Sequence, residues 1–335
     1  MRLSDFDYIL PPELIAKEPM KPRDHSRLMI VNRGKQTISH RFFYELPDIL
    51  CDRDVLVVNR SKVIPARLFA DGCEILLLSP LSDGCYEVLV KPGRKFTIGA
   101  RFFFHKNLLA EVKHIYDDGR RILRFNRKGA ALSHLIQKLG HTPLPPYLQG
   151  SKASSQDYQT VYCREKGSVA APTAGLHFTS SLLETLNEKN IQVEKVLLHV
   201  GIGTFQPVRD ERIENHRMHE EYFCLSKDCA GRLNHAKSDG KRIIAVGTTS
   251  ARVLESQADT SGILTPRSGK TDIFIYPGYR WRFVSALLTN FHLPKSTLFM
   301  LVCSFAGTEF MKKAYAEARE KRYRFYSFGD AMLII

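Results

Sequence analysis

The sequence has no uncharged apolar run of the ~18 residues that a membrane-crossing helix requires. Its opening, Met1-Arg2-Leu3-Ser4-Asp5-Phe6-Asp7, carries acids where an export signal needs an apolar stretch, so residence in the cytoplasm is expected. There is no C-x-x-C pair, and the 7 cysteines are odd in number and scattered. A zinc ribbon or disulfide frame is therefore not expected, and reduced thiols fit better. The G-x-G-x-x-G dinucleotide fingerprint is missing, as are long-period repeats and low-complexity tracts. His216 and His219 stand beside Glu220 and Glu221, but H-E-x-x-H is absent and no third ligand is evident, so no metal is expected. Acidic residues are scarce, at 35 against 49 Lys and Arg, which leaves a net charge of +14. Such an excess attracts polyanions and speeds encounter with them. Nucleic acid is the obvious partner, since Lys and Arg contacts to phosphate supply most non-specific affinity.

What is present is ordinary for a folded protein: 44% hydrophobic and 25% charged residues. A length of 335 residues allows about two domains. The texture of the chain changes along its length. Leu28-Met29-Ile30-Val31 and Asp54-Val55-Leu56-Val57-Val58-Asn59 read as buried strands. From Ala66 to Arg127, short β-type runs alternate with turn signals such as Asp71-Gly72, Ser82-Asp83-Gly84 and Asp117-Asp118-Gly119. That spacing argues for an antiparallel barrel or small sandwich. The apparent helices lie on either side. The expected fold is therefore an α/β main domain, residues 1–62 and 155–335, with an inserted antiparallel β-barrel domain over residues 63–154. Pro143-Leu144-Pro145-Pro146-Tyr147 reads as an extended return crossing.

The stretch from Pro172 to Phe205 carries the densest chemistry. It holds Pro172-Thr173-Ala174-Gly175-Leu176-His177-Phe178-Thr179, a helical segment, a strand over Ile191–Val200, and His199-Val200-Gly201-Ile202-Gly203-Thr204-Phe205. Each half is a glycine-bearing loop with one histidine. Glycine lets backbone approach a ligand closely, and histidine suits proton transfer near neutral pH. Ser181-x-x-Glu184 predicts a capping box opening the helix. A βα-type unit can bring two such loops to one pocket.

Further candidates flank this stretch. Arg23, Ser26 and Arg27 suit a carboxylate or phosphate, or else form a solvated turn. Asn59 ends a buried strand, where open α/β sheets bind ligands. Arg242–Gly247 reads as a strand running into Thr248-Thr249-Ser250-Ala251-Arg252, a hydroxyl-rich turn opening a helix. Free N–H groups there, with Arg252, favour an anion, and N-capping by Thr249 or Ser250 is the plainer alternative. Thr271–Tyr276 predicts another strand, closed by Pro277-Gly278. Thr289-Asn290-Phe291-His292 precedes Pro294.

These motifs together resemble the S-adenosylmethionine:tRNA ribosyltransferase-isomerase family of queuosine biosynthesis. The resemblance runs along essentially the whole chain, including Leu287-Leu288-Thr289-Asn290-Phe291-His292-Leu293-Pro294-Lys295-Ser296-Thr297-Leu298 and Arg322-Tyr323-Arg324-Phe325. Glu220 departs from it, standing where a serine is expected. The resemblance implies attachment of the ribosyl part of S-adenosylmethionine to preQ1 at the tRNA wobble position, yielding epoxyqueuosine-tRNA, adenine and methionine. It implies no cofactor beyond S-adenosylmethionine, which is consumed, and a chain acting as a monomer without membrane contact.

That chemistry needs a general base and a general acid. His177 and His199 are the leading candidates and His292 the third, with the division of roles open. Phe178, Phe205 or Tyr276 could face the sulfonium, or belong to the core. Thr248, Thr249 and Arg252 suit the methionine carboxylate, and Asp272 suits ribose hydroxyls or the methionine ammonium. Arg23, Ser26, Arg27, Asn59, Thr173, Ala174, Gly175, Gly201, Gly203, Thr204, Pro277, Gly278 and Asn290 complete the expected substrate contacts. Two other functions compete: a tRNA-binding protein without chemistry, and a tRNA methyltransferase using the same cofactor. The histidine, hydroxyl and glycine loops favour the enzyme over mere binding, and the missing fingerprint weakens the methyltransferase.

Overall fold

A computed structural model describes residues 1–148, 151–201, 208 and 210–335. Gly203, Thr204 and Phe205 lie outside them. The chain forms two compact units. One comprises 1–62, 147–165 and 171–335, and the other 63–146 with 166–170.

In chain order the strands are β1 (Arg27–Asn32), β2 (Thr37–Phe42), β3 (Asp54–Asn59), β4 (Ser61–Val63), β5 (Arg67–Ala70), β6 (Cys73–Pro80), β7 (Cys85–Lys91), β8 (Arg101–His105), β9 (Leu108–Ile115), β10 (Arg121–Phe125), β11 (Glu165–Ser168), β12 (Gln192–Leu198), β13 (Glu221–Leu225), β14 (Arg242–Val246), β15 (Arg267–Thr271), β16 (Ala286–Asn290) and β17 (Ala331–Ile334). The helices are α1 (Leu46–Ile49), α2 (Gly129–Leu139), α3 (Ser180–Glu188), α4 (Lys227–Ser238), α5 (Gly247–Gln257), α6 (Thr297–Ala306) and α7 (Thr308–Glu320).

The larger unit is built on a nine-stranded mixed sheet in the order β15-β13-β12-β3-β14-β16-β17-β1-β2. Its centre, β12-β3-β14-β16, is parallel. β3 and β16 are buried at every position, as expected where helices cover both faces. Leu56, Val58, Ile244, Val246 and Leu288 pack against Phe178, Leu182 and Leu186 in one apolar cluster. Asp54 and Arg242 face each other in register, joined by two hydrogen bonds of 2.6 and 2.9 Å.

The smaller unit is a six-stranded antiparallel sheet, β5-β6-β7-β10-β9-β8, whose end strands β5 and β8 approach each other. The run from Leu68 to Leu78 is two strands. Asp71 and Gly72, both at positive φ, turn the chain back between them, as a two-residue hairpin demands. α2 was not expected from the sequence; its buried Leu132 and Ile136 are one helical turn apart.

Local corrections have physical causes. The α3 cap is Thr179, whose Oγ1 accepts from the Leu182 N–H at 3.1 Å, and not the Ser181-Glu184 box. The expected strand Thr271–Tyr276 is instead β15, a polar segment recruited by pairing with β13. Beyond it, Phe274 and Tyr276 pack ring on ring at 4.9 Å.

Candidate active site

A cleft opens at the carboxyl ends of β12, β14 and β16, where parallel strands release their loops. The enclosed part of the cleft is small, about 40 Å³, and it opens to solvent at its mouth. Val200 follows β12, Gly247, Thr248 and Thr249 follow β14, and Thr289, Asn290, Phe291 and His292 close β16. Ala171 to Ala174, Leu298, Tyr326 and Ser327 complete the wall.

The Thr173–His177 segment is a 3-10 turn. Gly175 is obligatory in it, because a Cβ there would lie 1.9 Å from the Tyr162 hydroxyl. The turn delivers His177 into a buried network. Thr173 Oγ1 donates to Asn290 Oδ1 at 2.9 Å, which fixes the amide orientation. Asn290 Nδ2 then donates to His177 Nε2 at 3.0 Å. That assignment leaves the ring proton on Nδ1, 2.7 Å from Ser26 Oγ. The imidazole lies on the Phe43 ring at 5.0 Å. Burial, reinforced by the Arg324 charge, pushes its pKa down to about 3.

His292 lines the cleft directly. Its Nε2 is 2.9 Å from Thr289 Oγ1, and its backbone N–H donates to the Tyr315 hydroxyl at 3.0 Å. Its carbonyl accepts from the Tyr8 hydroxyl. Burial pushes its pKa down to about 3 as well.

His199 sits just past β12, with its backbone N–H on the Tyr222 carbonyl and its ring on the Tyr222 ring. Its Nδ1 is buried without a hydrogen-bond partner among the described residues. Burial holds its pKa below the ordinary value, against an opposing pull from Glu165. It is not part of the described cleft wall.

His292 in the cleft wall and His177, buried but not part of that wall, both make stability depend on acid. An unfolded histidine takes its proton near 6.5, but these fold as neutral rings that resist protonation down to about 3. Their contribution is complete above pH 6.5 and is lost as pH falls toward 3, at about 1.4 kcal/mol per pH unit for each ring. Urea midpoints measured from pH 7 to 4 will fall steeply in the native chain and less steeply in His177→Gln or His292→Gln. Parallel curves would show that these rings are not held neutral.

α5 begins beside the cleft. Gly247 takes a φ of +83°, a left-handed conformation that favours glycine. No side chain caps the helix start, since Ser250 Oγ donates backward to the Val246 carbonyl at 2.9 Å. Thr249 Oγ1 is buried and has no hydrogen-bond partner among the described residues. An uncapped helix N-terminus with a waiting hydroxyl suits a carboxylate.

Arg252 is placed differently from Thr248 and Thr249. It is absent from the cleft wall, and its guanidinium is ion-paired with Glu221, both side chains being 4% exposed. Glu221 Oε1 in turn accepts from the Gly201 N–H at 2.8 Å. Arg252 Nε donates to the Ile273 carbonyl at 3.3 Å.

Other expected residues are committed to internal contacts. Arg23 donates to the carbonyls of Gln159 and Gln156. Arg27 grips Asp330 and lies 4.0 Å over the Tyr323 ring. The Asn59 amide bonds both N–H and C=O of Leu198. Phe178 is fully buried against Phe43 and Tyr162. Ala174 lines the cleft, whereas Asp272, Tyr276, Pro277 and Gly278 do not, and Asp272 is exposed. Among the described residues no group of three or more His, Cys, Asp or Glu could hold a metal.

Sequence reasoning missed Thr289, Tyr326, Ser327 and Gly247 as cleft residues. Gly247 and Thr289 stood inside motifs already singled out. Tyr326 is brought to the wall by a φ of +75°, which no side-chain pattern announces.

Comparison with known proteins places the chain in a family. The sequence profile of the family described as "Queuosine biosynthesis protein" matches residues 3–334. A protein of Desulfitobacterium hafniense called S-adenosylmethionine:tRNA ribosyltransferase-isomerase is 49% identical over 342 residues, covering 100% of both chains. One of the same name from Thermotoga maritima is 50% identical over 340 residues, again covering 100% of both. The crystal structure of S-adenosylmethionine tRNA ribosyltransferase from Thermotoga maritima matches with a TM-score of 0.58 and 42% identity, covering 99% of this chain and 100% of that one. End-to-end identity at this level, together with a cleft built from the motifs that carry the likeness, means that the chain belongs to the queuosine biosynthesis protein family.

Proposed function

We propose that this chain is an S-adenosylmethionine:tRNA ribosyltransferase-isomerase, a transferase of tRNA modification. The match over residues 3–334 carries the reading. The reaction moves the ribosyl part of S-adenosylmethionine onto preQ1 at the wobble position of tRNA. It gives epoxyqueuosine-tRNA, adenine and methionine. The sulfonium acidifies the ribose 5′ carbon and a base takes a proton there; the preQ1 amine, as nucleophile, bonds a ribosyl carbon and sheds a proton, and methionine leaves with the electrons of its C–S bond as the epoxide closes. Adenine then departs, helped by protonation. S-adenosylmethionine is consumed, and the reading calls for no further cofactor.

The cleft supplies groups of the right kind. The uncapped start of α5, with Thr248 and Thr249, takes the methionine carboxylate. Arg252 acts at one remove, through Glu221 and the Gly201 N–H, by ordering the second glycine loop. His292 is the first candidate for the proton step because it lines the cleft as a neutral imidazole. His177 serves through Asn290, whose amide it orients. His199 is the third candidate.

The barrel-like unit is an inserted domain of a chain that works as a monomer in the cytoplasm, on tRNA bearing preQ1. Among the described residues, no helix is long and apolar enough to cross a membrane. Incubation with preQ1-containing tRNA and S-adenosylmethionine will release adenine and methionine only when both are present. Methylated tRNA with S-adenosylhomocysteine would overturn the reading.

A further inference from the structure

Large hydrophobic side chains at a protein surface call for an explanation when they cluster. Phe42 and Tyr44 are 43% and 45% exposed, although the intervening Phe43 is fully buried. Their rings are stacked, with centroids 5.4 Å apart and planes only 5° from parallel. His25, also exposed, sets its ring against Tyr44 at 5.2 Å. Phe42 ends β2, the edge strand of the large sheet, Tyr44 stands in the turn after it, and His25 comes from the turn before β1.

The arrangement is held rather than incidental. Glu45 caps the Phe42 backbone N–H at 2.6 Å. Buried Phe43 anchors the turn on the ring of His177. The exposed rings and the cleft network are thus joined through one three-residue segment.

Charges of both signs lie near the rings. Arg41 is exposed next to Phe42, and Lys21 is exposed just before the His25 turn. The nearby carboxylates are already engaged: Glu45 by the Phe42 N–H and Asp24 by the Thr179 hydroxyl.

We propose that Phe42, Tyr44 and His25 form a stacking platform for an unpaired base of the tRNA anticodon loop. This rests on the assignment of tRNA as substrate above. Parallel exposed aromatic faces bordered by cations are what single-stranded RNA requires, because every base offers a π-face and every phosphate a negative charge. A base seated there lies on the same turn that positions His177.

The test uses the full chain and an anticodon stem-loop carrying 2-aminopurine at each loop position in turn. Stacking on the platform quenches the fluorescence at one position. Phe42→Ala and Tyr44→Ala each weaken stem-loop binding on the order of 10-fold and remove the quench, while S-adenosylmethionine affinity holds. Tyr44→Leu fails like Tyr44→Ala, and Phe42→Tyr restores binding, because a flat ring is needed and not merely apolar area. Arg41→Ala lowers the salt dependence of binding, and the ring variants leave it unchanged. Native stem-loop affinity in folded Phe42→Ala and Tyr44→Ala overturns the platform. So does a change of oligomeric state in those variants with RNA affinity intact, which would assign the rings to a second copy of the chain. If the native chain binds the stem-loop but releases no adenine, the catalytic reading fails and the quench still decides the platform.

Discussion

Exchanging His292 for asparagine lowers kcat by on the order of 10²-fold or more, the usual size of a general acid–base contribution. The ring lines the cleft, is fully buried, and is neutral well below physiological pH. Asparagine keeps one hydrogen bond to Thr289 Oγ1 but has no basic ring nitrogen with which to accept a proton. The backbone anchors to Tyr315 and Tyr8 do not depend on the side chain, so the loop keeps its place. Binding of S-adenosylmethionine and tRNA should change little, and the loss should appear in single-turnover rates. His177→Asn should also slow turnover, by disturbing the amide of Asn290. If both variants fold, bind and turn over at native rates, neither ring carries the proton. His199 then inherits the role, with its unpartnered Nδ1.

Arg252→Ala costs about 3–5 kcal/mol of stability, because it removes the cation paired with the buried Glu221 carboxylate. The double variant Arg252→Met with Glu221→Gln recovers much of that, since no bare charge remains. Glu221 also holds the Gly201 N–H, so the single variant should loosen the second glycine loop and slow turnover. Calorimetric unfolding and S-adenosylmethionine titration separate the roles. A variant as stable as the native chain, with weakened S-adenosylmethionine binding, would make Arg252 a direct ligand clamp instead.

The central strands were legible in the sequence because burial on both faces demands unbroken apolar runs, as in Val55-Leu56-Val57-Val58. The hairpins of the small unit were legible because Asp71-Gly72 and its kind announce reversals. β15 was not, since Arg267-Ser268-Gly269-Lys270-Thr271 becomes a strand only by pairing with β13. At the site, motif membership brought His177, His292, Asn290 and Thr249 forward together. It could not tell Thr249, which faces the cleft, from Arg252, three residues on, which turns to Glu221. Positions three apart share a face of a helix, so periodicity does not separate them, and partner geometry decides which one meets the ligand.

A nine-stranded open sheet has two unpaired margins, and each is a template on which another chain could add a strand. Here one margin is β15, five residues long and bearing Arg267 and Lys270. The other is β2, mostly exposed and carrying His40 and Arg41. Two copies meeting edge to edge would bring Arg267 of one against Arg267 of the other at β15, or Arg41 against Arg41 at β2. The chain should therefore stay unaggregated when concentrated, and crowding on a polyanionic partner should be limited by that partner's surface rather than by self-association.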